Sequence, residues 1–107
     1  MRFWTALLIA LTISSGSSFA AGDPLAGKKK VAKCVTCHGR DGIAKIPNAP
    51  NLAGQKADYL LRSFTSYKSG DRRNEQMKII TQTVTEADLA DILAYYAAIK
   101  ITVEVPE

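Results

Sequence analysis

The sequence predicts an all-α domain of three main helices with short helical pieces between them. Three observations carry that expectation. Apolar residues recur at helical spacing over residues 57–68 and again over 85–97. Helix-starting signals precede helical stretches, Asp23-Pro24 near the start and Thr85 ahead of the last one. The one strand-like alternation, Ile101, Val103 and Val105, has no second strand to pair with.

The 107 residues of the chain suffice for a single domain. Residues 1–20 are expected to be a secretory signal peptide. Met1-Arg2 is a short basic start, and Phe3–Ile13 is an apolar run of eleven residues interrupted only by threonines. Ser18-Phe19-Ala20 then sets small residues at both positions that a signal peptidase reads. The rival is an uncleaved anchor, but a membrane span needs about twenty apolar residues. Cleavage after Ala20 would leave residues 21–107 as one exported domain, expected in the periplasm and without a transmembrane segment.

A mature chain of 87 residues is marginal on its own apolar core. Domains of that size commonly add a disulfide, a metal or a cofactor. Asp23 and Pro24 open the first helix as N-cap and first helical residue. Leu25, Ala26, Val31 and Ala32 are expected to pack inward while the lysines face water. That helix is expected to run on to His38 and to end near Gly39. Gly27 inside it suggests a close helix crossing, since glycine costs up to about 1 kcal/mol there against alanine.

Residues 39–55 hold Gly39, Gly42, Pro47, Pro50 and Gly54 with no helical or strand period. This is a long loop of the kind that wraps something, with Ile43, Ile46 and Leu52 as its inward candidates. The next helix shows its stripe at Ala57, Leu60, Leu61 and Phe64, and Ser69-Gly70 stops it. A polar turn, Asp71 to Gln76, leads to Met77, and a short helical piece is expected over Lys78–Thr83. Thr85 caps the last helix, with Asp88 as its capping-box partner and Leu89, Ile92, Leu93, Tyr96 and Ala97 as the buried stripe. Residues 101–107 are expected to form a loose tail.

Charge is unevenly spread. The mature chain carries thirteen basic and ten acidic residues, a balance of +3. Residues 21–56 hold +5, and residues 77–107 hold −3. The basic half suits steering toward an acidic redox partner, although Lys28, Lys29, Lys30 and Lys33 equally suit a solvated helix face. Nucleic acid is a poor fit, because the exported chain has no recognisable nucleic-acid module.

Cys34-Val35-Thr36-Cys37-His38 is the densest chemistry in the chain. Two thiols at this spacing can add across the two vinyl groups of a haem, which brings the following histidine to the iron. A thioredoxin-like pair would want a strand ahead of it, and none precedes Cys34. A zinc site needs four ligands, whereas the mature chain offers two cysteines and one histidine. A short-loop disulfide would leave His38 and the long loop without a role. The motif therefore points to one covalently bound haem c, attached at Cys34 and Cys37 and ligated by His38. Met77 is the one methionine left after signal removal. It is expected as the second axial ligand, with core filling and ligation by Lys78 as the rivals.

With these residues in hand, the chain resembles a class I monohaem c-type cytochrome of the short bacterial type, and one half of the two-domain dihaem members. The resemblance runs from Asp23 to about Lys100. It rests on Gly27, Cys34–Gly39, Pro50–Gln55, Tyr67–Gly70, Met77 and Leu89–Tyr96. It implies a cytochrome c fold wrapped around the haem. It further implies that the Pro50 carbonyl accepts a hydrogen bond from His38, that Gly27 meets the last helix near Ile92 and Tyr95, and that Tyr96 packs on the haem. The acidic last helix and the valine-rich tail depart from the common pattern.

The expected function is electron carriage by iron cycling between Fe(III) and Fe(II), with redox proteins as donor and acceptor and no substrate chemistry of its own. The alternative is an electron-accepting cytochrome subunit of a larger periplasmic dehydrogenase.

Overall fold

The computed structural model describes residues 21–107. The signal-peptide expectation for residues 1–20 lies outside the described residues. Five helices follow in order: α1 Pro24–Lys28, α2 Val35–His38, α3 Ala57–Ser69, α4 Glu75–Thr81 and α5 Glu86–Ala98. No strand is present among the described residues, so the all-α expectation holds.

The expected first main helix is divided in two. Asp23 caps α1 through its side chain, which accepts from the Leu25 amide at 3.0 Å. After Lys28 the bonding tightens to the i−3 pattern, with Lys29 N–H to the Ala26 carbonyl and Lys30 N–H to the Gly27 carbonyl. The break has two sources in the sequence. Gly27 is a weak helix former, and Lys28-Lys29-Lys30 stacks like charge. The turn delivers Val31 into the core, where it is fully buried. Leu25 and Ala32, expected inside, are exposed instead.

α3 and α5 are thirteen residues each and form the frame on which the rest hangs. Gly70 ends α3 with φ +89°, a left-handed cap that glycine accepts without a Cβ penalty. Thr85 caps α5 by accepting from the Asp88 amide at 3.2 Å. The Asp88 carboxylate does not complete the capping box. It turns to Lys30 Nζ at 2.9 Å.

α1 packs on α5, and α3 packs on both α4 and α5. The core joins Val31 and Leu60 to Leu89, Ile92, Leu93 and Tyr96 of α5, which is the stripe that periodicity predicts. Gly27 lies directly under α5. A side chain there would strike the Asp91 carbonyl and come within 2.8 Å of Tyr95 Cβ. The crossing therefore sits at Asp91 and Tyr95 rather than at Ile92. Beside it, Lys30 Nζ bonds Asp91 Oδ2 at 2.6 Å, and Asp91 Oδ1 accepts from the Asp23 amide at 2.8 Å. Residues 101–107 are irregular and exposed throughout.

Candidate functional site

An apolar cavity of about 420 Å³ lies between the helices. Its wall is drawn from residues between Lys33 and Tyr96, with contributions from α2, α3, α4, α5 and the long loop. Cys34, Cys37 and His38 enter from α2 and its cap, and Ile46, Pro50 and Leu52 from the long loop. Leu60, Phe64 and Tyr67 come from α3, Met77 and Ile80 from α4, and Leu93 and Tyr96 from α5. All six residues picked out as the site, Cys34, Cys37, His38, Pro50, Met77 and Tyr96, therefore line a single space.

α2 is one turn long, and its task is presentation. Cys34 is its N-cap residue and Gly39 its C-cap, so Cys37 and His38 occupy the last helical positions. His38 is buried, and its Nδ1 lies 2.9 Å from the Pro50 carbonyl oxygen. With the proton on Nδ1, the ring donates to Pro50 and Nε2 is left as an unprotonated base, the form that binds a metal. Burial pushes the Cys34 thiol up, partly offset by the positive charge of Lys33.

Met77 lies in the first turn of α4, not in a polar loop before a helix. The helix starts three residues earlier than expected because Asn74 caps it. Its side-chain oxygen accepts from the Met77 amide itself at 2.9 Å. The sequence signal was available: Asn74-Glu75 is a cap followed by an acid in the first turn, and Met77 and Ile80 stand at i, i+3. Lys78, the rival ligand, is exposed and lies outside the cavity wall.

Tyr96 is fully buried and its hydroxyl donates to the Gly39 carbonyl at 2.9 Å. Burial, first of all, drives its phenol well above the ordinary tyrosine value of 10.0, so it remains a neutral donor. Tyr95 crosses it edge-on at 5.2 Å between ring centroids and donates to the Arg40 carbonyl. The last helix thereby holds both residues that follow His38. In the loop, Ile46 and Leu52 reach the cavity, whereas Ile43 points away and is exposed. Sequence reading also missed Arg72. Its guanidinium sits 4.8 Å from the centroid of the Tyr67 ring, and it lines the cavity together with Lys33.

The donor set suits a haem c. Two thiols, an imidazole and a thioether share one space with apolar walls, and two cations but no Asp or Glu line it among the described residues. That balance fits an apolar macrocycle bearing two carboxylates. The described residues contain no helix long and apolar enough to cross a membrane.

Similarity to known proteins agrees with this chemistry. Cytochrome c4 of Pseudomonas aeruginosa is 42% identical over 100 residues, covering 91% of this chain and 50% of that protein. Cytochrome c-554(548) of Halomonas halodenitrificans is 43% identical over 81 residues, covering 73% of this chain and 98% of its relative. Among solved structures, reduced recombinant cytochrome c4 from Pseudomonas stutzeri superposes with a TM-score of 0.68 at 39% identity, over 75% of this chain and 47% of that one. The chain thus spans about half the length of the cytochrome c4 relatives it matches. The family model described as Cytochrome c matches residues 24–99, which takes in α1 through α5 and the whole cavity wall, and the chain therefore belongs to the cytochrome c family.

Proposed function

We propose that this chain is a periplasmic electron carrier, exported by residues 1–20, that holds one haem c through thioethers at Cys34 and Cys37. His38 and Met77 would ligate its iron. One observation carries the reading: Cys34, Cys37, His38 and Met77 line the same cavity, with His38 Nδ1 held by Pro50 at 2.9 Å. A bound haem c supplies a one-electron couple between Fe(III) and Fe(II). Pro50 orients the imidazole and directs Nε2 to the metal. The Met77 thioether favours the ferrous state relative to a second imidazole, which raises the potential and suits electron transfer. Leu60, Phe64, Leu93 and Tyr96 exclude water from the site, so little rearrangement accompanies a change of charge.

Donor and acceptor are redox proteins, and an acidic docking face on them suits the basic half of the chain. Lys30 drops out of that surface because Asp88 and Asp91 already bind it. Lys28, Lys29 and Lys33 form no ion pair among the described residues. Lys28 and Lys29 are the steering charges, since Lys33 lines the cavity.

Spectra of the purified protein beside Met77→Ala test the assignment. The expected result is haem that resists denaturing extraction, and a methionine–ferric iron charge-transfer band that the substitution abolishes. Carbon monoxide binding by the reduced wild type at neutral pH would overturn Met77 ligation.

A second reading has one observation in its favour. A protein of Stutzerimonas stutzeri named as a thiosulfate dehydrogenase electron acceptor is 29% identical over 75 residues, covering 67% of this chain and 35% of that protein. An electron-accepting role beside a periplasmic dehydrogenase is the alternative. Co-purification with such an enzyme at fixed stoichiometry distinguishes it from a free carrier.

A further inference from the structure

We infer that Asn74 is a positioning residue for the Met77 thioether, an inference that rests on the proposed ligation by Met77. α4 is seven residues long, well below the roughly 12–15 at which an isolated helix becomes stable in water. Residues 71–76, which lead into it, are all exposed, and they are tied back to α3 at Arg72, whose amide donates to the Ser66 carbonyl at 3.0 Å and whose guanidinium lies over Tyr67. The far end is anchored. Thr81 is fully buried with its hydroxyl on the Lys78 carbonyl at 2.9 Å, and Gln82 Nε2 donates to the Lys68 carbonyl at 3.2 Å. The end that carries Met77 is closed from Asn74: its backbone carbonyl accepts from the Lys78 amide at 2.9 Å, and the bond that a substitution can remove is Asn74 Oδ1 accepting from the Met77 amide at 2.9 Å.

That bond lands on the residue whose sulfur must reach the iron. While it holds, Met77 keeps helical φ and ψ, and its side chain keeps the direction that places it in the cavity wall. When it opens, the first turn frays and the thioether is released, while α3, α5 and the His38–Pro50 pair are untouched. The loss therefore registers at the iron before it registers in the fold.

The test compares haem-loaded wild type with Asn74→Ala, Asn74→Ser and Asn74→Gln. The readouts are the pH midpoint at which the ferric protein loses its methionine charge-transfer band, and amide hydrogen exchange at Met77. Serine is a good N-cap and alanine a poor one. Glutamine keeps the carboxamide but is not a favoured cap. The alanine and glutamine variants are expected to raise the population of the Met77-released state about fivefold, the equivalent of one helix cap. That lowers the midpoint by about 0.7 pH unit for a one-proton transition and speeds exchange at Met77. Asn74→Ser is expected to restore both.

A serine variant that behaves like alanine, or an alanine variant that matches wild type in both readouts, overturns the capping role. Rescue by glutamine but not serine also overturns it, in favour of a contact made by the amide nitrogen. Absence of the charge-transfer band from wild type refutes Met77 ligation and with it the positioning of a ligand. Exchange at Met77 then still reads the cap, so the two failures are distinguishable. Helicity by circular dichroism and haem content identify any variant that has simply not folded.

Discussion

Lys30 Nζ lies 2.6 Å from Asp91 Oδ2, joining positions 61 residues apart in the chain. The hydrogen bond from Lys30, followed by the one from the Asp23 amide, holds the Asp91 carboxyl below its ordinary value of 3.8. Asp91 and Asp88 in turn hold the Lys30 ammonium above its ordinary 10.5. The depressed aspartate contributes stability that is present above 3.8 and lost as pH falls through its lower folded value. The raised lysine contributes stability that is present below 10.5 and lost as pH rises through its higher folded value. Between about pH 5 and pH 10 both contributions are complete. Asp91→Asn is expected to lower the denaturant midpoint at pH 7 by more than it does near pH 3, where wild type has begun to lose the same bond.

Gly27→Ala tests the crossing of α1 and α5. The new methyl would strike the Asp91 backbone and stand 2.8 Å from Tyr95 Cβ, and backbone cannot rotate aside as a side chain can. Alanine's better helix propensity offsets up to about 1 kcal/mol, but overpacking of this kind costs about 1–3 kcal/mol. Net destabilisation is expected in chemical denaturation, and a more stable variant would show that α1 slides freely on α5.

Gly70→Ala presents the opposite case. A Cβ there meets nothing within 4 Å, but φ is +89°. Conformation alone sets the cost, about 1–2 kcal/mol, and Gly70→Asn should recover part of it, because asparagine tolerates the left-handed region. Thermal midpoints of the two variants beside wild type check the order.

Tyr96→Phe removes the hydroxyl that donates to the Gly39 carbonyl at 2.9 Å in a fully buried position. The Gly39 carbonyl keeps a longer bond from the Gly42 amide at 3.3 Å, so the loss is that of one hydrogen bond, about 0.5–1.5 kcal/mol, while the ring still fills its place in the cavity wall. Stability should fall with the haem retained, as measured by urea unfolding followed at the haem absorbance.

Charge steering predicts a contrast among neighbouring lysines. Lys28→Gln with Lys29→Gln should slow association with an acidic redox partner several-fold at low ionic strength. The effect should fade toward 0.15 M salt, where the screening length is about 8 Å. Lys30→Gln should slow it far less, because that charge is already neutralised by Asp88 and Asp91. Stopped-flow rates against salt concentration compare the two.

Local features of this chain were legible where the physics is local. The Asp23 and Thr85 caps, the stop at Gly70 and the stripe of α5 each depend on residues within a turn or two, and they read correctly. The run expected from Pro24 to His38 failed because propensity and patterning did not register the tightening after Gly27. The expectation of a loop at Met77 fails for a related reason. A three-residue error at the start of a short helix is enough to hide a cap, and the cap is what defines that helix.

The chemistry at Cys34, Cys37 and His38 is legible from the chain alone, because two thiols and an imidazole within five consecutive residues need no fold to be brought together. So is Met77, the one methionine of residues 21–107. Packing is what sets Met77, 39 residues beyond His38, in the wall of the same cavity and brings Pro50 to the imidazole. It also decided that Lys30 is spent on Asp88 and Asp91 rather than left for a partner. These contacts depend on how α3, α4 and α5 pack, and packing is set by the sum of many weak apolar contacts that no short stretch of sequence contains.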